Sequence, residues 1–128
     1  MSITHAMTMQ WEQGNNSLSM RDTFTGESEA NVSVSVPDSS TDFEITLGID
    51  ISEIKSIVIN SDQVVTLETN SGSAADDTFA LTADNPLVWN VDSPAANPFS
   101  ADITALFVTN SSGSAATFNV RCLLDATP

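Results

Sequence analysis

The feature that most constrains this fold is a strict alternation of apolar and polar residues in the first half of the chain. Every second side chain is apolar between residues 30 and 36, and the pattern returns between residues 43 and 49. Successive side chains of a β-strand point to opposite faces of a sheet, so this period predicts two strands that each bury one face. The polar stretch at residues 38–42 separates them and predicts that they pair as a hairpin.

Further strands are predicted at regular spacing along the rest of the chain. Apolar or alternating segments bounded by turn-forming residues lie at residues 56–60, 64–69, 78–82, 87–91, 103–109 and 116–124. Eight or nine short strands in 128 residues predict an all-β protein with one antiparallel β-sandwich. Both a jelly-roll and an immunoglobulin-like topology fit, because alternation does not reveal the order of strands in a sheet.

Residues 1–27 are predicted to differ from the sandwich domain at residues 28–128. Their apolar anchors include Met7, Met9, Trp11, Leu18 and Met20, set in a polar background. Such a segment can form an initial strand followed by a long loop, or an extended arm that becomes ordered on a partner. In the second case Met7, Met9 and Trp11 are the predicted partner-binding residues.

The charge balance excludes several classes of partner. Seventeen Asp and Glu residues face only Arg21, Lys55 and Arg121, and the formal net charge is −14. Nucleic acids and anionic membranes are bound by basic side chains that displace counterions, so neither is an expected partner. The excess of acid predicts a soluble domain that attracts basic protein surfaces or cations.

The residues that could carry catalysis are few. His5 is the one histidine and lies near the N-terminus, and Cys122 alternates in register with Phe118, Val120 and Leu124, which predicts a buried and inert thiol. A sugar-cleaving site would need aromatic walls beside its carboxylates. The chain has no Tyr, and Trp11 and Trp89 occupy alternating apolar positions typical of core or interface residues. We therefore predict a protein that is not an enzyme and has no cofactor.

Calcium is the metal that the composition fits best, because it prefers clustered carboxylate and carbonyl oxygens on loops. Asp76, Asp77, Asp84 and Asp92 lie on predicted turns, but their spacing is not that of an EF-hand. Zinc would need a cluster of Cys and His residues, which the sequence lacks. Solvated loop acids are therefore the preferred interpretation, and no metal site is predicted.

Several segments in the last 78 residues carry a resemblance to a known class of proteins. They are ISEIKSIVINSD at 51–62, VTLETN at 65–70, FAL at 79–81, PLVW at 86–89, ITALFVTN at 103–110 and LLDATP at 123–128. This part of the chain resembles the small virion proteins of tailed bacteriophages that are encoded among head and tail genes. The resemblance implies a β-sandwich that decorates or completes a virus particle in many copies, and it carries over no functional residues.

The resulting expectation is a non-enzymatic virion structural protein. Its leading form is a capsid decoration or cement protein on the shell of a tailed phage, synthesised in the host cytoplasm and located in the virion. The expected partners are the major capsid protein or other virion proteins and further copies of the chain, with a trimer favoured. The alternatives are a tail, neck or fibre-associated protein, a carbohydrate-binding module and, from a third class, a hydrolase.

Overall fold

The computed structural model describes residues 2–126 of the chain. Its strands are β1 (Ile3–Gln13), β2 (Asn16–Gly26), β3 (Ser28–Val36), β4 (Ser40–Ile49), β5 (Ile54–Ser61), β6 (Val65–Thr69), β7 (Thr78–Leu81), β8 (Leu87–Asn90), β9 (Ile103–Asn110) and β10 (Ala116–Leu124). A short 3-10 helix at Ile51–Glu53 precedes β5. Met1, which begins the predicted N-terminal segment, and Thr127 and Pro128, which end the predicted sandwich domain, lie outside the described residues.

Eight of these strands form two four-stranded antiparallel sheets. The first sheet has the order β3-β10-β5-β8 and the second has the order β4-β9-β6-β7. The predicted all-β sandwich is therefore confirmed. Every consecutive pair of strands from β3 to β10 except β6 and β7 passes from one sheet to the other, and with these strand orders the topology is that of a jelly roll.

The core lies between the two sheets and follows the period of the strands. The side chains that are fully buried there include Val36, Ile57, Ile59, Leu67, Leu106, Val108, Phe118 and Val120. Burying one such side chain contributes about 1.5–3 kcal/mol relative to leaving it exposed. At one end of the core, the rings of Phe79 and Phe99 meet edge to face with their centroids 5.4 Å apart.

The predicted hairpin of residues 30–36 with residues 43–49 is wrong, because β3 and β4 lie in different sheets. Strand β3 pairs with β10 and strand β4 pairs with β9. The connection between them has two residues with positive φ, Ser39 at 64° and Asp42 at 53°, which turn the chain across the edge of the sandwich. Period-two alternation specifies which face of a strand is buried, but it does not specify the neighbouring strand.

The N-terminal segment contains two paired strands. Strands β1 and β2 run antiparallel over eleven residues each and form a sheet of their own. A long loop after the first strand was one of the two predictions for this segment, and strand β2 lies there instead. Gly14 and Asn15 form the two-residue turn, and Gly14 has a φ of 56°. Glycine adopts this left-handed conformation without steric cost, and a Gly-first two-residue turn suits the twist of a hairpin.

Candidate protein interaction surface

The β1–β2 hairpin has one apolar face and one polar face. Met9 lies opposite Met20 and Trp11 lies opposite Leu18, and paired residues of an antiparallel hairpin project from the same face. The apolar face carries Ile3, His5, Met7, Met9, Trp11, Leu18, Met20, Asp22 and Phe24. The opposite face is lined by small or polar side chains, namely Thr4, Ala6, Thr8, Gln10, Glu12, Ser17, Ser19, Arg21, Thr23 and Thr25.

The base of the hairpin is anchored on the outer face of the first sheet. Phe24 is 4% exposed, and Leu123, whose neighbours Cys122 and Leu124 point into the core, is fully buried on the outer face. Strand β2 covers Leu123 at Gly26, where an added Cβ would lie 2.9 Å from Leu123 Cγ. This close approach leaves room only for glycine, so the hairpin is fixed to the sandwich at its base.

A polar contact adds to this anchor. Nε2 of His5 on β1 lies 2.7 Å from Oε2 of Glu29 on β3, and the Asn31 amide donates to the same oxygen over 3.0 Å. The hydrogen bond from Asn31, followed by that from His5, holds the pKa of the Glu29 carboxyl below its ordinary value. The bonds favour the charged carboxylate, which therefore helps to hold the first strand of the hairpin against the sheet.

Towards its turn the same face of the hairpin is exposed. We call Met9, Trp11, Leu18 and Met20 the tip patch; these side chains are 60%, 52%, 55% and 44% exposed. Their combined apolar area is on the order of 400 Å², within the ~300–600 Å² range in which the largest patch on a monomer is often functional. Glu12 is the one charged residue among residues 8–20. The tip patch therefore has the apolar, charge-poor composition of an interface core.

A groove of about 750 Å³ separates the hairpin from the edge of the first sheet. Its hairpin wall includes Met7, Met9 and Met20, and its floor and far wall include Val58, Pro86, Val88 and Pro94. Val58 and Val88 face each other across β5 and β8, and the burial of Ile57 and Ile59 in the core places Val58 on the outer face. The hairpin thus begins against the sheet and then leaves an apolar cleft beneath it.

The structure brings the three predicted partner-binding residues to one face of β1. Met7 is half-buried and Met9 is exposed, and both line the groove, whereas Trp11 lies beyond it at the tip. Leu18 and Met20 complete the surface from β2 and were not predicted as site residues. The two-residue sequence Gly14-Asn15 between alternating segments was the signal that could have identified the second strand.

Cys122 and His5, the two side chains considered for catalysis, both take part in holding the fold together. Cys122 is fully buried, as predicted, and burial raises the pKa of its thiol to about 12. Its thiolate, the nucleophilic form of cysteine, is therefore strongly disfavoured near neutral pH. His5 lies in the anchor of the hairpin beside Glu29. Trp89 packs against the core and donates its ring N–H to the Ala95 carbonyl over 2.9 Å.

The acidic residues considered for calcium lie on three separate loops, with Asp76 and Asp77 adjacent on one of them and both hydrogen-bonded. Asp76 accepts a hydrogen bond from the Asn70 amide over 2.7 Å, and Asp77 accepts from the backbone N–H of Ser100 over 2.8 Å. Asp92 borders the groove. Over residues 2–126, no group of three or more His, Cys, Asp or Glu side chains is placed to hold a metal ion.

Comparisons with known proteins found no relative of this chain. No protein family model matches the chain, and no curated protein and no solved structure matches it. Within the described part of the chain, no helix has the length and apolar character needed to cross a membrane. The fold and surface together define a jelly-roll sandwich that carries an anchored amphipathic hairpin.

Proposed function

We propose that the protein is a non-enzymatic structural component of a tailed-phage virion, namely a capsid decoration protein that assembles through its N-terminal hairpin. The observation that carries the proposal is the tip patch, four large exposed apolar side chains on a two-stranded projection. A soluble monomer gains nothing from exposing such a surface, whereas an assembling protein buries it against a partner. The sequence resemblance supplies the virion as the setting.

Two further features support an assembly role. Among residues 2–126, strands β1 and β2 form a sheet of two, so each also presents an outer edge without a ladder partner that another chain can extend. The jelly roll is a scaffold used by viral capsid domains, although it is also used by lectins and other binding proteins. The fold is therefore compatible with the proposal, and the argument for assembly depends on the exposed surface of the hairpin.

The direct test is quantitative mass spectrometry of virus particles purified from cells that carry the gene. The decoration role predicts that the chain purifies with intact particles in hundreds of copies, in proportion to the major capsid protein. A copy number between six and a few dozen would instead assign the chain to the tail, neck or fibres. Its absence from particles would refute both roles.

A variant pair connects particle binding to the hairpin. The double substitution W11S/L18S removes the outer half of the tip patch and is expected to reduce incorporation into particles at least tenfold. Val64→Ser is the matched control, because Val64 is an equally exposed apolar residue (56%) on the turn between β5 and β6. Equal incorporation of both variants would show that the tip patch is not the assembly surface.

A carbohydrate-binding role is the second candidate, and the exposure of Trp11 is the observation that favours it. Sugar rings stack on exposed aromatic faces, so a glycan bound at Trp11 would change the tryptophan fluorescence. Titration with a panel of soluble polysaccharides tests this role. A saturable change that W11S abolishes would establish glycan binding, and a flat response across the panel would end that candidate.

A further inference from the structure

We propose that the tip patch of one copy packs into the groove of a second copy of this chain. This inference names a partner for the assembly surface of the proposed function. It rests on that proposed function only in taking the hairpin as the assembly surface. The contact is heterologous: the donor is the outer half of the tip patch, and the acceptor is the groove under the neighbour's hairpin.

The donor side chains cannot fill the groove of their own chain. Trp11 and Leu18 do not line that groove, and both remain half exposed. The β1–β2 ladder is in continuous register from Ile3 to the turn, so the tip continues outwards and does not fold back. Four residues of strand separate Met7 from Trp11, which places the donor about 13 Å further along the hairpin.

The sheet side of the acceptor groove is apolar, as are the donor side chains Trp11 and Leu18. Val58, Val88, Pro86 and Pro94 form its sheet side, and Val88 is 38% exposed in the isolated chain. Arg21, Asp22, Asn90 and Asp92 supply polar groups along the lining. An apolar floor with polar groups around it is the arrangement of a binding site that takes an aromatic or aliphatic anchor.

The tip carries few charges, which matters for contact between identical chains. Two copies with a net charge of −14 repel each other, and the cost is smallest where the approaching surfaces carry the fewest acids. The tip segment, residues 8–20, carries only Glu12. Arg21 lines the groove beside Asp22 and Asp92, and Arg121 lines a smaller pocket at the base of the hairpin.

The contact needs more surface than the donor side chains alone provide. The whole tip patch offers on the order of 400 Å², and Met9 and Met20 line the groove, so the donor offers about half of that area. A standard interface buries roughly 800 Å² per partner, so the residues around Trp11 and Leu18 must supply most of the donor's share. A donor and an acceptor at different places on one chain allow each copy to make both contacts. Heterologous contacts of this kind close into rings when the rotation between copies allows it.

The first experiment measures the mass of the purified full chain by light scattering during gel filtration, at concentrations on the order of 100 µM, well above a micromolar Kd. The wild-type chain and the Val64→Ser control are expected at a multiple of 13.5 kDa. W11S/L18S, which lacks the donor, and Val88→Glu, which lacks the acceptor, are each expected at 13.5 kDa. A monomeric wild-type chain, or variants that keep its mass, would overturn the inference.

The second experiment mixes the two monomeric variants. W11S/L18S retains an intact groove and Val88→Glu retains an intact tip, so the mixture is expected to form a one-to-one dimer. A tip-to-tip contact would not be rescued in this way, and a mixture that stays monomeric would therefore refute the tip-in-groove pairing. Circular dichroism of each variant confirms that it is folded; if Val88→Glu is not, the milder Val88→Ser replaces it.

The two proposals fail separately. A wild-type chain that is monomeric in solution but abundant in particles would refute the self-contact and leave the tip patch to a different virion protein. A chain that forms the tip-in-groove oligomer but is absent from particles would refute the virion role and leave the self-contact standing.

Discussion

Gly26 approaches Leu123 so closely that a Cβ on Gly26 would lie 2.9 Å from Leu123 Cγ and 2.6 Å from the Leu124 carbonyl oxygen. The backbone N–H of the next residue, Glu27, donates to that same carbonyl over 3.0 Å. This contact joins the end of the hairpin to the last strand of the sandwich. A methyl group added at Gly26 should therefore push the base of the hairpin away from strand β10.

Gly26→Ala is expected to destabilise the protein by about 1–3 kcal/mol, because the methyl group has to displace backbone and a buried leucine. Chemical denaturation of both proteins measures the difference. Gly48→Ala is the matched control, since nothing lies within 4 Å of the Cβ position at Gly48. If the two alanine variants unfold at the same denaturant concentration, the hairpin base is not packed as described.

Asn110→Ala is expected to cost about 2–3 kcal/mol, because it removes the hydrogen bonds of a fully buried amide, one of them to the carbonyl of the buried Val36. The Asn110 amide is fully buried and donates to the carbonyls of Val36, Pro37 and Ser114 over 3.1, 3.3 and 2.8 Å. It thereby joins the β9–β10 loop to the end of β3. Asn119→Ala, on a half-buried asparagine of β10, provides the comparison and is expected to change the unfolding free energy by less than ~0.5 kcal/mol.

The Cys122 thiol is expected to resist thiol reagents in the native protein. Its pKa is raised to about 12 by burial, so at about pH 8 almost none of it is thiolate. A chromogenic disulfide reagent should therefore react with one thiol per chain only after a denaturant is added, as expected for the one Cys in the sequence. Rapid reaction of the folded chain would contradict the inward placement of Cys122.

Acid is expected to weaken the contribution of Glu29 to folding. Its folded-state pKa is lowered by Asn31 and then by His5, so the stabilisation is present above the ordinary carboxyl value of 4.5 and is lost as the pH falls through the lowered pKa. Urea unfolding of the wild-type chain and Glu29→Gln, from about pH 7 to about pH 3, should show a difference that shrinks in acid. The charge of Arg121 also lowers the pKa of this carboxyl group.

Glu44→Gln on β4 controls for the loss of one negative charge away from the hairpin. A Glu29→Gln difference that stays constant over the acid range, or grows, would show that the His5–Glu29–Asn31 contact does not act in the folded chain.

The strands and their buried faces could largely be predicted from the sequence. Alternation between residues 30 and 36 and between residues 43 and 49 located β3 and β4, and the inward position of Cys122 followed from its register with Phe118 and Val120. These properties are local, because the pleat of a strand sends successive side chains to opposite faces whatever the strand pairs with.

The candidate surface could be predicted only in part. Met7, Met9 and Trp11 were identified as partner-binding residues from their apolar character in a polar segment. Leu18 and Met20 join them because β2 folds back at Gly14 and places the two side chains on the same face. The groove depends on Val58 and Val88, whose exposure on the outer face was not evident from two apolar segments 30 residues apart.

The sequence by itself therefore determined the all-β class, the positions of most strands and the faces that they bury. Only the tertiary structure decided that β3 pairs with β10 and β4 with β9, that the sandwich is a jelly roll, and that the hairpin stands away from the first sheet. The physical reason is one of range: side-chain alternation follows from the geometry of adjacent residues. Strand partners and the gap beneath the hairpin result from contacts between segments far apart in the chain, such as Gly26 with Leu123.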